Sequence, residues 1–322
     1  MRVVATTVVR ASVFGRQETG YVYDVDFDAG RVESRVAVPA PARPASDDNP
    51  RGGIRGGRGV AFTPDGIVVA TYDTLVRYDE AWNVAEVLES PLFAGLHEID
   101  WDGDRLWLTA TAIDALVRVD DGSASVAWDP HGEAAAALGL PARDPEVLAR
   151  TPVVPRLDQC HLNGVTRRGD ELVLHLGLVR SRSVRRRLAR RVGVAPAGES
   201  LVVRLNGSPV PDVLVRLRGG DLPTHNGQFV ATSRVAVNDS ASNTLRVFDA
   251  RTGSELRAFP MPGTWLRGLE PLGGGYALVG TAPATVHLVN LETGERERSV
   301  ALADDPNEAV HGLAVQPRQE SR

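Results

Sequence analysis

The sequence predicts an all-β, six-bladed β-propeller, and three observations carry that expectation. Short apolar runs bounded by turn residues recur along the chain and group into repeated four-stranded units of roughly 40–50 residues, two of the intervals being lengthened by inserts. Three units reach their third strand in nearly the same words: "LVRYD" at 75–79, "LVRVD" at 116–120 and "LRVFD" at 245–249. The run "HGLAVQP" (311–317) supplies one strand, and the N-terminal runs 2–10, 20–28 and 31–38 supply the three that it lacks. A β-sandwich with long insertions is the competing fold, and sandwiches do not repeat this phrasing.

The units follow one another in order. "GVAFTPDGIVVATYDTLVRYD" (59–79) has two β-rich runs around Pro64-Asp65-Gly66 and then a third. "HEIDWDGDRLWLTATAIDALVRVD" (97–120) repeats the plan with its turn at Asp102-Gly103-Asp104. "HLNGVTRRGDELVLHLG" (161–177), "HNGQFVATSRVAVNDSASNTLRVFD" (225–249) and "LRGLEPLGGGYALVGTAPATVHLVN" (266–290) start the next three, and "ERERSVAL" (295–302) reads as an outer strand. Pairing of 311–316 with the N-terminal strands closes the last blade and removes an open sheet edge. The expected organisation is a single propeller domain over 1–322, with helical inserts near 131–150 and 180–193. The second insert carries Arg185, Arg186, Arg187, Arg190 and Arg191, which suit either a solvated face or a cap that attracts an anion. The Pro/Gly-rich stretch 39–59 reads as a loop.

Composition bounds the chemistry. All 36 basic residues of the 322 are arginine, so no lysine Schiff base or lysine general base is available. One cysteine, Cys160, excludes an intrachain disulfide and is expected to pack as a small buried hydrophobe. A net charge of −5 without interleaved aromatic and basic residues argues against nucleic acid. The N-terminus reads as a strand, lacking the apolar core of a signal peptide, and no apolar run approaches the roughly 20 residues that span a bilayer. A cytoplasmic protein without membrane attachment is expected; oligomeric state is not legible.

The histidines supply the functional signal. His97, His161, His225 and His311 each stand at the beginning of an expected innermost strand, the first three at intervals of 64 residues. Arg58 and Arg267 occupy the same phase in the remaining two units. Innermost strands of a propeller line a channel, so residues of one phase converge, and converging imidazoles suit a transition metal. A bare hydrogen-bonded polar channel and histidine general-base chemistry without metal are the alternatives. Glu98, Asn163 and Glu270 lie close in sequence to these starts and are the candidate catalytic residues, although strand alternation would turn Glu98 and Asn226 away from their histidines. Arg58, Arg267 and Asn226 are the candidate substrate contacts, the guanidinium forks suiting a carboxylate, sulfate or phosphate.

At these residues the chain resembles an uncharacterised bacterial propeller family. "GLHEIDWDGDRLWLT", "DQCHLNGV", "LPTHNGQ" and "PGTWLRGLEPLGGGYALVG" are similar to that family's HDLA, CHLNGLA, MPHSPR and PGFLRGL motifs. The resemblance covers about 95–290, is most specific at CHLNG and LRGL, and departs at 224–228, where "THNGQ" replaces PHSPR. It implies the propeller fold and marks His97, His161, His225 and Arg267 as family-type positions. A looser resemblance is to the gluconolactonase and strictosidine-synthase-like six-bladed propellers, which implies an axial Ca²⁺ that Glu98, Asn163 and Asn226 could imitate.

The leading expectation is therefore a metal-dependent enzyme acting on an anionic small molecule. A divalent transition metal, Fe(II) favoured over Cu or Zn and with Ca²⁺ as the alternative, would be held by His97, His161, His225 and His311. Four imidazoles leave positions open on an octahedral ion but none on tetrahedral zinc, which favours redox or lyase chemistry. The alternatives are a Ca-type lactonase or hydrolase, or a non-catalytic propeller that binds a protein or glycan.

Overall fold

The computed structural model describes residues 1–10, 19–39, 56–144, 146–150, 157–179, 198–220 and 222–317. The arginine-rich segment 180–193 and residues 40–55 of the 39–59 loop lie outside the described residues. Among those described, the strands form six four-stranded antiparallel sheets, the blades of a six-bladed β-propeller. They fall into two compact units, Met1–Glu89 with Pro262–Arg322, and Ser90–Met261.

The chain opens with β1 (Arg2–Val9), β2 (Tyr21–Asp26) and β3 (Arg31–Ala37), followed by a sheet of β4 (Val60–Thr63), β5 (Gly66–Ala70), β6 (Thr74–Tyr78) and β7 (Val84–Glu89). The second unit begins with β8 (Leu96–Trp101), β9 (Leu106–Ala110), β10 (Ala115–Asp120) and β11 (Ser123–Trp128). Two short helices, α1 (Ala135–Leu138) and α2 (Glu146–Arg150), lead to β12 (Leu162–Arg168), β13 (Glu171–Val179), β14 (Gly198–Leu205) and β15 (Asp212–Gly220). The unit's third blade is β16 (His225–Ala231), β17 (Arg234–Asp239), β18 (Thr244–Asp249) and β19 (Glu255–Pro260). The first unit resumes with β20 (Thr264–Gly273), β21 (Tyr276–Ala282), β22 (Thr285–Asn290) and β23 (Arg296–Ala301), and β24 (Glu308–Val315) then pairs antiparallel with β1.

Why are the strands so uniformly apolar? A blade has a neighbour on each face, so both sides of the pleat are buried. Val3 and Ala5 enter one core with Leu278, Val286 and Val310. Val4, between them, enters another with Val60, Val69 and Tyr78. The second unit repeats this: Leu174 and Leu201 pack with Leu116 and Leu162, whereas Val173 and Val202 pack with Val235 and Phe248. Outer strands have one solvated edge and are more exposed, as in the charged β23, whose burial falls away along most of its length. No described helix is long and apolar enough to cross a membrane.

Four of the six inner strands share a feature that strand periodicity does not reveal. Each of β8, β12, β16 and β20 slips register against its partner near its start: between Leu96 and Ile99, Leu162 and Gly164, His225 and Gln228, and Thr264 and Arg267. Left-handed residues sit beside these bulges, at Gly95 (φ 64°), His161 (52°), Asn226 (53°) and Trp265 (54°). Such a bulge re-aims the side chains around it and is therefore a common device at functional sites.

In the first unit Glu308, 2% exposed, opens β24. Its Oε1 accepts the hydroxyls of Thr7 at 2.7 Å and Tyr23 at 2.8 Å, tying β24 to β1 and β2. Burial, and then this bond to Glu308, push the Tyr23 phenol above its ordinary range. Glu308→Ala would strand two buried hydroxyls, so a loss of about 2 kcal/mol is expected in chemical denaturation, whereas Glu308→Gln keeps an acceptor and should stay within about 1 kcal/mol. Equal losses for both variants would show that charge matters there, not the acceptor.

Candidate metal centre

Three of the histidines come together in the unit Ser90–Met261. His97 stands on β8, His161 immediately before β12 and His225 at the start of β16. The rings are 5.2 Å apart between centroids for His97 and His161, 5.9 Å for His97 and His225, and 6.0 Å for His161 and His225. One nitrogen from each lies within 4.8 Å of the others. A triangle with sides of 4.8 Å has its centre about 2.8 Å from each corner, so an inward shift of at most about 0.7 Å per ring would reach a metal–imidazole bond of about 2.1 Å.

Two of the rings have a partner on Nδ1, and for His161 it fixes the tautomer of the neutral ring. Asp158 Oδ2 lies 2.9 Å from His161 Nδ1, and because a carboxylate accepts, Nδ1 carries the proton and Nε2 the lone pair. His225 Nδ1 lies 2.9 Å from the hydroxyl of Ser240. A partner on the far nitrogen fixes ring orientation in metal sites. His161 holds its place in a left-handed backbone that costs a non-glycine residue about 1–2 kcal/mol, so its surroundings must impose it.

The bulges alter the expected facing of the neighbours. Strand alternation would turn Glu98 and Asn226 away from their histidines; the two meet each other, Asn226 Nδ2 donating to Glu98 Oε1 at 2.9 Å. Asn238 Nδ2 approaches Asn226 Oδ1 at 3.4 Å, which fixes the Asn226 amide with its NH₂ toward the carboxylate. Asn163, 1% exposed, donates to the Thr224 carbonyl at 2.7 Å, and its Oδ1 has no hydrogen-bond partner among the described residues.

Behind the three rings lies His175, fully buried on β13 and not distinguishable in the sequence as part of this assembly. Gly227 N–H donates to its Nδ1 at 2.9 Å, so its proton sits on Nε2, which donates to Thr224 Oγ1 at 2.9 Å. The ring fills the space that side chains at 164 and 227 would need. A Cβ on Gly164 would lie 2.7 Å from His175 Cβ, and one on Gly227 would lie 2.9 Å from His175 Cγ. The glycines that follow His161 and His225 were the available signal.

His311, Arg58, Arg267 and Glu270 belong to the other unit. There Arg267 Nη1 lies 2.8 Å from His311 Nε2; a guanidinium only donates, so this nitrogen's lone pair is engaged by the arginine. Arg267 also stands 5.1 Å over the Trp265 ring, and the buried Arg58 stands 4.9 Å over Tyr72. Glu270 is half-buried on β20, in register with Leu278.

A second grouping, Asp114, His131 and Cys160, also places its ligand atoms within 4.8 Å of one another. Its carboxylate is already occupied by main-chain N–H groups of Gln159 at 2.6 Å and Cys160 at 2.9 Å. Burial, and then the Asp114 charge, push the Cys160 thiol well above its ordinary range, against the thiolate that a metal needs. Cys160 is 0% exposed and packs with Leu116, Leu162 and Leu176.

No protein-family profile matches this chain, and no curated protein matches it in sequence. Among solved structures, a chain of the nidogen/laminin complex is similar over 97% of this chain and 97% of its own, with 9% identity and a TM-score of 0.60. The WD40 β-propeller domain of Doa1 aligns over 76% of this chain and 68% of its own, at 11% identity and a TM-score of 0.44. At such identities the first likeness establishes the propeller fold and nothing further.

Two outcomes follow from this geometry. An alanine methyl at 227 would also lie 2.6 Å from Val202 Cγ2, so Gly227→Ala is expected to lower unfolding free energy by about 2 kcal/mol, as overpacking does. A change under about 0.5 kcal/mol would show that the His175 ring can move aside. The second outcome concerns acid. Burial, then His161, push His175 down to about 3, and burial, then Arg296, push His287 down to about 4. Below pH of about 6.5 the unfolded chain therefore takes up protons that the fold refuses, and stability falls as pH drops. The buried Asp100 carboxyl, raised to about 6 mainly by desolvation, acts in the opposite sense, so a variant must be compared with wild type. His287→Asn should flatten the loss of unfolding free energy between pH 6 and 5 by about 1.2 kcal/mol per pH unit. An unchanged slope would mean that His287 titrates normally in the fold.

Proposed function

We propose that this protein is a metal-dependent enzyme in which His97, His161 and His225 hold a divalent transition metal that acts on an anionic small molecule. The observation that supports this most is the approach of three ring nitrogens, from three successive blades, to within 4.8 Å of one another. An all-nitrogen set suits Fe(II), Cu or Zn and disfavours Ca²⁺, which prefers oxygen ligands, as an axial lactonase ion would. Fe(II) is the preferred ion. Three ligands leave three positions on an octahedral ion, room for a substrate oxygen pair and a further molecule, as redox or lyase chemistry on an anion requires.

Charge supports the substrate class. Three neutral imidazoles leave the ion's full positive charge uncompensated by its ligands, so an oxyanion is favoured at the open positions. Glu98, oriented by Asn226, is the carboxylate we assign to proton transfer, and the buried Asn163 Oδ1 is an acceptor for a substrate donor or water. Within the other unit, Arg58 and Arg267 carry planar guanidinium groups stacked on aromatic rings, a presentation suited to an oxyanion. The CHLNG and LRGL motif resemblance adds His161 and Arg267 as family-type positions, and we carry membership of that bacterial group as part of the same proposal.

The test is elemental analysis of protein purified without an affinity tag, followed by metal titration. Close to one equivalent of a transition metal is expected. Outer partners of metal ligands contribute about 10–100-fold in affinity, so removal of a ligand by His97→Ala, His161→Ala or His225→Ala should cost more than about 100-fold. Absence of transition-metal binding by the wild type would sink this reading. Retention of Ca²⁺ alone would favour the lactonase-like alternative, and retention of no metal would favour a binding propeller.

A further inference from the structure

The closest pair in the centre, His97 and His161, sits on either side of one short turn. Thr111–Ile113 is a single 3₁₀ turn between β9 and β10, closed by Asp114 in a left-handed conformation at φ 46°. On one side the turn binds the chain that enters β8: Thr111 N–H donates to the Gly95 carbonyl at 3.2 Å, and Ala112 N–H to the Ala94 carbonyl at 3.0 Å. Gly95 lies two residues before His97, and a Cβ there would come within 3.0 Å of Ala112. On the other side the turn binds the segment that carries His161. Leu157 N–H donates to the Ala112 carbonyl at 2.8 Å, and the Thr111 hydroxyl donates to the Leu162 carbonyl at 2.6 Å.

The Asp114 carboxylate completes this second contact. It is 0% exposed and accepts the main-chain N–H groups of Gln159 at 2.6 Å, Cys160 at 2.9 Å and Leu162 at 3.3 Å. Successive N–H groups around a left-handed residue form a concavity that fits an anion, and here the anion is a side chain of the preceding blade. His131 Nε2 approaches the same carboxylate at 3.1 Å, and Arg143 Nη1 donates to the Ile113 carbonyl at 2.7 Å, so the turn is braced from behind. The only residue of 159–162 whose N–H does not reach Asp114 is His161 itself, which bonds to Asp158 at 3.1 Å.

We infer that the Thr111–Asp114 turn is the positioning device of the centre, setting the separation of His97 and His161 by gripping the backbone beside each. Its consequence for metal rests on the proposed function, whereas its geometric content does not. The hydrogen bonds of Asp114 and Thr111 go to the main chain beside the histidines and to His131, and their effect on the rings runs through the chain on which the rings are mounted.

Asp114→Asn places an NH₂ among main-chain donors and releases the 159–162 segment. Thr111→Val removes only the hydroxyl and preserves shape, so it serves should the asparagine variant fail to fold. Two readouts apply to both. In metal-free protein, ¹⁵N-histidine NMR of the His161 ring should lose the single Nδ1–H tautomer and show averaged nitrogen shifts. With Co²⁺ as the probe, Asp114→Asn should bind about 10–100-fold more weakly and Thr111→Val less weakly but in the same direction. The visible Co²⁺ spectrum of Asp114→Asn should approach that of His161→Ala, and the double variant should lose little beyond His161→Ala alone. His287→Asn, distant in sequence, controls for general destabilisation and should leave the spectrum unchanged. Wild-type tautomer signals in whichever variants fold would overturn the inference, and so would a wild-type Co²⁺ spectrum. If wild-type protein binds no Co²⁺, the metal reading fails while the NMR comparison still decides the role of the turn.

Discussion

A regular β-strand cannot present two consecutive residues to the same face, and it cannot begin a blade with its side chains aimed along an arbitrary direction. Four inner strands of this protein, β8, β12, β16 and β20, meet that constraint with a register slip near their starts, beside a residue in a left-handed conformation. The slips at His225/Gln228 and Leu162/Gly164 let a histidine and its neighbours leave the plane of alternation. Much else depends on them: the Asn226 amide that reaches Glu98, the Gly227 N–H that turns onto His175, and the N–H groups that converge on Asp114. A strictly regular strand would send those groups to neighbours that have no use for them.

In the proposed centre, charged groups are held apart from the three imidazoles that would coordinate a metal. His161 has its far nitrogen on Asp158 and His225 on Ser240, while Glu98 is held by an amide. His175, behind the rings, is kept neutral by burial and cannot add positive charge to the cluster at ordinary pH. Such an arrangement keeps lone pairs available without a carboxylate in the immediate set. A bound ion would then keep its own charge for whatever occupies its open positions.

Much of the architecture could be read from the chain. The recurring "LVRYD" phrasing marked the third strands, and the expected starts near 59, 97, 161, 225, 266 and 311 lie within a few residues of β4, β8, β12, β16, β20 and β24. The common phase of His97, His161 and His225 was also legible, because one residue per blade at one phase needs no knowledge of packing. What periodicity could not provide was partner-dependent. Register slips depend on the facing strand, so the link from Glu98 to Asn226 was invisible. A spacing rule treated His311 as equivalent to the others, although its Nε2 is engaged by Arg267. Asp114 lies 45 residues before Gln159, whose N–H it accepts, and no local pattern connects them.

The pairing of β1 with β24 has a consequence for how the chain reaches this structure. Five blades are built from strands adjacent in sequence, whereas Val3 must find Val315, and Thr7 and Tyr23 must find Glu308. Closing a loop of this length is slow relative to forming hairpins, so the local blades can assemble while this one waits. During synthesis β1, buried along nearly its whole length in the finished fold, has an unpaired and largely apolar edge until residue 315 has emerged. Elongation from residue 9 to residue 315 is therefore the interval in which this edge has no partner of its own blade and can pair with another chain.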